Sequence, residues 1–211
     1  MTKIIDFIIN ILKWPIALAS TLCIYPIGVA FSHSFDLGPA IIQLLGGGAL
    51  YIVSARIFVG KKRQGWISTL EHELTHALFA LITLHPVSSL QTTESQGGLI
   101  TYRGGSNWLI VISPYFFPTF SFALILIMEV FGATNIWLGN LLLGFTIFYH
   151  LISTKHELHK GQTDLQETGF LFAWLFLPGA NLLSFGILFA FCQGGLDGII
   201  TFIQACFYET I

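Results

Sequence analysis

Residues 66–86 read Trp66-Ile67-Ser68-Thr69-Leu70-Glu71-His72-Glu73-Leu74-Thr75-His76-Ala77-Leu78-Phe79-Ala80-Leu81-Ile82-Thr83-Leu84-His85-Pro86. The run up to Leu84 is largely apolar and, at about 20 residues, long enough to cross a hydrocarbon core as one helix. Pro86 cannot donate the backbone hydrogen bond that would continue that helix, so it is expected to end at His85-Pro86. Against this background Glu71, His72, Glu73 and His76 crowd into six positions. Each ionisable group inside a span costs ~2.5–3.5 kcal/mol on insertion scales, so a helix with packing alone to do would seldom keep them. Glu71 has a structural explanation, because Ser68-x-x-Glu71 matches a capping box that would start the helix. Glu73 has none.

His72 and His76 stand four residues apart, which on a helix puts both side chains on one face, one turn above the other. Two imidazoles arranged in this way can reach a single Zn²⁺, and Glu73 can approach a water at the metal without entering the coordination sphere. Such a set suits hydrolysis of a peptide bond. Zinc lowers the pKa of water toward ~7, and a carboxylate beside it accepts the proton as the water attacks a carbonyl, then returns it to the leaving amine. The motif therefore predicts His72 and His76 as metal ligands and Glu73 as catalytic base. Catalytic zinc usually takes a third protein ligand, which must come from elsewhere in the chain.

Working outward from the motif, the rest of the sequence is also membrane-like. Of the 211 residues 54% are hydrophobic and only 9% charged, against ~25% charged in an average soluble domain. So few charges could not cover a water-facing surface. Further apolar runs lie at 15–32, 41–60, 108–130, 136–152 and 170–192, and Pro114 and Pro118 are expected to bend the run that contains them. Val87 to Thr93 and Leu99 to Tyr102, rich in β-branched and hydroxyl side chains, flank Gly97-Gly98 and read as a β-hairpin. Residues 1–13 mix Ile, Phe and Leu with Lys3, Asp6, Asn10 and Lys13, the pattern of an interfacial helix or the lead-in to a first span. The apolar stretch continues past Ala17-Leu18-Ala19 to Phe31, so an uncleaved anchor is expected rather than a signal peptide. The fold class that results is an all-α integral membrane protein of about six transmembrane helices, with a small re-entrant or interfacial β-hairpin after the motif helix. It forms a single domain over 1–211, with its catalytic core at 66–170.

The formal net charge is −2 with no basic stripe or arm, which excludes nucleic acid as a partner. Cys23, Cys192 and Cys206 lie in apolar runs without a C-x-x-C pair and read as small buried hydrophobes. Arg56, Lys61, Lys62 and Arg63 gather after the second run, with Lys3 and Lys13 on the same side in a six-span arrangement. The positive-inside rule puts that side in the cytoplasm. The expected location is thus integral and multi-pass, in the cytoplasmic (inner) membrane of a bacterium.

Taken together, these features resemble the site-2 protease family of intramembrane zinc proteases. The likeness rests on His72-Glu73-x-x-His76 within a membrane helix, a Gly-containing hairpin directly after it, a Pro-containing span next, and an acidic residue after the second span beyond the motif. It covers roughly residues 66–170. The resemblance implies cleavage of transmembrane or membrane-associated protein substrates within or beside the bilayer. It further implies a hairpin that pairs with an unwound substrate segment through backbone hydrogen bonds, and an aspartate as third zinc ligand. That aspartate ordinarily stands in a Leu-Asp-Gly preceded by Asn-x-x-Pro, and this chain departs from the pattern. Asp164, in Gln162-Thr163-Asp164-Leu165, has the family's place in chain order but no glycine, whereas Asp197, in Leu196-Asp197-Gly198, has the letters one span later. Helix geometry puts His76 ~15 Å from Trp66 and ~14 Å from His85, close to the bilayer midplane. Extended chain from the polar stretch 153–166 covers ~3.3 Å per residue and can dip to that depth. Asp164 is therefore the expected ligand, with Asp197, His150, His156 and His159 as the other candidates.

Two other functions fit parts of the pattern. A prenyl-protein-type membrane zincin shares the motif but takes a glutamate as third ligand, and Glu129, Glu157 and Glu167 lack the Glu-x-x-x-Asp context that would accompany it. A transporter or scaffold could use the same histidines to bind a metal ion, but no inverted repeat or second intramembrane site accompanies them.

Overall fold

The computed structural model describes residues 2–34, 38–57, 61–93, 97–134 and 136–208. Ten helices and one hairpin follow in order: α1 (Thr2–Ile11), α2 (Lys13–Leu22), α3 (Ile24–Ser34), α4 (Pro39–Ile57), α5 (Lys61–Ile82), β1 (Val87–Thr93), β2 (Gly97–Tyr102), α6 (Trp108–Ile112), α7 (Thr119–Val130), α8 (Trp137–Glu157), α9 (Thr163–Thr168) and α10 (Phe170–Tyr208). A 3₁₀ turn over Ser113–Tyr115 extends α6. Large apolar side chains stand exposed around the helices, among them Leu126, Val130, Leu171 and Trp174. Exposed apolar side chains in such number are what a bilayer covers.

By length and apolar composition, α4, α8 and α10 can each cross a membrane, and the described residues hold five such crossings if each bent pair counts as one. The pairs are α1 with α2, bent by 47°, and α6 and its 3₁₀ turn with α7, bent by 82°. The second bend falls at Pro114 and Pro118, where missing N–H donors interrupt the helical ladder. The six crossings expected from the apolar runs are not reached among the described residues: the run at 15–32 divides at Cys23 between α2 and α3, and α5 carries Glu71, His72, Glu73 and His76 in its middle. Helix α10 is 39 residues long and breaks at Gly194–Gly195, where Gly195 has φ 59°.

Packing between α4 and α8 depends on missing side chains. A Cβ on Gly47 would overlap the Leu141 carbonyl, and one on Gly144 would overlap that of Leu44, so the two backbones meet where neither has a side chain. Helices α7 and α10 join the same core through Ile125, Met128, Leu188 and Phe191. A second core holds the functional half together: Trp108, Ile112 and Tyr115 from α6 and its turn, Leu165 from α9, and Phe172 and Phe176 from α10.

Helix α5 begins at Lys61, so Ser68 is inside it rather than at its start, and the capping box read from Ser68 and Glu71 does not form. Ser68 donates instead to Glu157, and Glu71 accepts a hydrogen bond from the backbone N–H of Phe120, 3.1 Å away near the start of α7. The helix ends before Pro86: Leu84 adopts φ 61°, and the N–H of His85 returns to the carbonyl of Ala80 at 2.7 Å. This left-handed turn satisfies a terminal carbonyl that proline could not. His85, fully buried, contacts Asp6 of α1 at 3.2 Å. Asp6 also accepts from Asn107 at 2.8 Å, so α1 is fastened to both ends of the hairpin segment.

The hairpin is antiparallel, with Leu90 opposite Ile100, and residues 94–96 between its strands lie outside the described residues. Gly97 and Gly98, expected between the strands, belong to β2 itself. The reason is steric: a Cβ on Gly98 would collide with the side chains of Glu73 and Thr69, so the absence of a side chain lets β2 lie on α5.

Candidate metal centre

One turn of helix separates His72 from His76, and their rings meet edge to face at 4.7 Å between centroids. Asp164 approaches them from the first turn of α9, where the buried Leu165 anchors the short helix in the core shared with Trp108 and Tyr115. Its Oδ2 lies 3.0 Å from His72 Nε2 and 3.5 Å from His76 Nε2. Among the described residues these three form the group able to hold a metal ion, with one ligand atom from each and all within 4.8 Å of one another.

The outer ring nitrogens explain why the inner ones face the centre. His76 Nδ1 is 2.8 Å from the carbonyl oxygen of Ile110, which can only accept, so this nitrogen carries the proton. His76 Nε2 then faces Asp164 Oδ2, itself an acceptor. Two lone pairs facing at 3.5 Å need a cation between them, either a proton or a metal. His72 follows the same plan with a different partner, its Nδ1 lying 3.0 Å from Glu157 Oε2. Metal-ligating histidines characteristically give their second N–H to a carbonyl or carboxylate, so the donor set fits a bound divalent ion. Two imidazoles and one carboxylate match the ligand preference of zinc in catalytic sites, which leave a fourth position open.

Tyr115, fully buried, donates to Asp164 Oδ2 at 3.1 Å and stands edge-on to the His72 ring. Burial pushes the Asp164 carboxyl up, but the hydrogen bonds and charge of His72 and His76 outweigh it and hold this group well below the usual carboxylate range. Glu73 lines the same cavity of about 610 Å³, together with Gly98, Leu99 and Ile100 of β2 and with Gln162 and Thr163 at the start of α9. Strand β2 therefore roofs the space in front of Glu73.

The other sequence candidates lie apart from this group. Asp197 is exposed on α10 beyond the glycine break. His156 and His159 are exposed at and after the end of α8. His150, on α8, is buried 3.3 Å from Glu71, which lies on another face of α5 from the motif histidines. Of the glutamates weighed as ligands, Glu157 faces the Nδ1 side of His72, away from the nitrogen that points at Asp164. Tyr115, the Ile110 carbonyl and the pairing of Ser68 with Glu157 carried no local signal, because each acts across the fold.

A family model described as Peptidase M50B-like matches residues 47–205, three quarters of the chain, and spans the motif helix, the hairpin, α9 and most of α10. No curated protein and no solved structure matches the chain. Family membership makes this a peptidase of the metalloprotease type. The chain belongs to the Peptidase M50B-like family and is a member of the site-2 protease group.

Proposed function

We propose that this chain is a multi-pass intramembrane zinc metalloprotease that cleaves transmembrane or membrane-associated protein substrates, with His72, His76 and Asp164 as ligands and Glu73 as base. The observation that carries the reading is the convergence of three ligand atoms within 4.8 Å, directed by their outer hydrogen bonds, on a cavity that Glu73 also lines. Zinc, when bound, supplies Lewis acidity toward the scissile carbonyl and acidifies water. Glu73 takes the proton of the attacking water and hands it to the departing amide nitrogen, which leaves as an amine. Asp164 and the two histidines keep their donor atoms turned inward, and Tyr115 steadies the carboxylate. The edge of β2 that faces away from β1 offers backbone groups to an extended substrate segment beside Glu73, so affinity comes from main-chain bonds.

In this reading α5 is a sixth span. Its polar face is tolerated at depth because it lines a cavity. The chain works as one domain with its catalytic core at 66–170, in the inner membrane of a bacterium, and the basic cluster at 56–63 lies on the cytoplasmic side. The test is Glu73→Gln in purified protein. Zinc content should stay near one per chain while cleavage of a model transmembrane substrate falls to background. A Glu73→Gln protein that still cleaves the substrate, or a His72→Ala/His76→Ala protein that keeps its zinc, would overturn the proposal. A transporter or scaffold would keep its function in the first variant.

A further inference from the structure

The two histidines of the motif differ in what holds them from behind. His76 gives its outer N–H to a backbone carbonyl, that of Ile110, whereas His72 Nδ1 meets the carboxylate of Glu157 at 3.0 Å. Glu157 is the last residue of α8, 85 positions along the chain. Its other oxygen is taken by the hydroxyl of Ser68, which stands one helical turn before His72 on the same face of α5. The carboxylate therefore bridges Ser68 and His72, with each oxygen committed to one of them. The catalytic scheme above makes no use of it.

We infer that Glu157 is a positioning residue for the metal centre: it fixes the His72 ring with Nε2 inward and strengthens that nitrogen as a donor, with Ser68 fixing the carboxylate in turn. The chemistry is directional. The two nitrogens of an imidazole point to opposite sides of the ring, so a group hydrogen-bonded to Nδ1 cannot share the metal held by Nε2. A carboxylate acceptor polarises the ring more than a carbonyl does, because its hydrogen bond is charge-assisted. His72 is by this account the stronger of the two imidazole donors, and its strength is supplied from α8. The end of α8 and the metal centre on α5 are thereby coupled.

This inference rests on the proposed zinc site, and the experiment separates the two. Zinc affinity is measured by chelator competition on purified full-length protein in lipid nanodiscs, and the visible spectrum of the Co²⁺-substituted protein reports the ligand set. Glu157→Ala should weaken zinc by about 10–100-fold, the usual cost of losing an outer partner, while the cobalt bands keep the intensity of the native ligand set. Glu157→Gln keeps the side-chain volume and one acceptor oxygen but neither the charge nor the second acceptor, so it should recover only part of that loss. Ser68→Ala should cost only a few-fold. Asp164→Asn, as a ligand control, should bind far more weakly than any of these and change the cobalt spectrum. Native affinity in both Glu157 variants would overturn the inference and leave the zinc site intact. Loss of metal in Glu157→Gln as complete as in Asp164→Asn would also overturn it, by making Glu157 a ligand. If His72→Ala/His76→Ala binds zinc like the native protein, the site itself fails, and the inference with it.

Discussion

Helix α5 carries two glutamates, Glu71 and Glu73, both buried, and their surroundings are opposite in kind. Two residues apart on a helix means about 200° of rotation, so they face different parts of the molecule. Glu71 is saturated: one oxygen accepts from the Phe120 N–H at 3.1 Å and the other meets His150 at 3.3 Å, with Thr154 behind the imidazole. Glu73 instead lines a cavity, beneath a strand whose glycine leaves it room. The same contrast separates the histidines. His85 is enclosed, with Thr83 on one nitrogen and Asp6 on the other, whereas His72 and His76 each turn a ring nitrogen toward the shared oxygen of Asp164. Burial alone does not distinguish a working group from a structural one. What separates them here is whether the side chain lines the cavity, as His72, Glu73 and His76 do, or is enclosed among its partners, as Glu71 and His85 are.

The contrast can be broken most severely at the ligand. Asp164→Asn should release the metal, with an affinity loss beyond the ~10–100-fold of an outer-shell change, and should abolish cleavage. Asp197→Asn, on the exposed segment beyond the α10 break, should do neither. Metal analysis of the two purified variants decides this, and a reversed result would make the late Leu-Asp-Gly the ligand. Next in size is Gly98→Ala, which drives a methyl group into Glu73 and Thr69. Displacement of a catalytic group by about 1 Å can cost ~100-fold, so turnover should fall by about that factor while zinc stays bound. Zinc loss in this variant would mean that β2 supports the ligands and not only the base.

On the saturated side the losses should appear in stability. Glu71→Ala strands His150 and the Phe120 N–H in the interior, and removing one partner of a buried pair typically costs ~3–5 kcal/mol. Thermal unfolding of the metal-free protein should drop markedly, while the zinc affinity of the folded fraction stays native. A selective loss of zinc with unchanged stability would place Glu71 in the functional group. The smallest effect is expected at Asp6→Ala, which takes the acceptor from His85 Nε2 and from the Asn107 amide N–H while each residue keeps its other partner, at ~1–3 kcal/mol. Its signature should be faster amide exchange in β2 with metal content unchanged. Unaltered exchange in β2 would show that α1 does not hold the hairpin.

Much of this organisation was legible locally. The His72-Glu73-x-x-His76 spacing needs only helical periodicity to put two imidazoles on one face. The apolar runs of α4, α8 and α10 need only their length, and the bend at Pro114 and Pro118 needs only the missing donors, whereas the run at 15–32, expected to cross once, divides between α2 and α3. The hairpin was legible as well, but its glycines were misplaced, because their reason is the Glu73 side chain and not a turn. Ser68 and Glu71 made a plausible local cap, and the structure spends both on other helices.

What the sequence determined by itself, then, is what short-range physics controls: membrane class, the motif helix, the strand pair and a pair of histidines on one helix face. Only the tertiary structure decided which acidic group faces that pair, since Asp164 lies 92 residues from His72 and reaches it through the packing of Leu165 against Trp108 and Tyr115. It also decided that Glu157 stands behind His72 and that α1 closes on His85. These contacts depend on how helices pack, and helix packing is a sum of many weak, distant contacts that no short window of sequence contains.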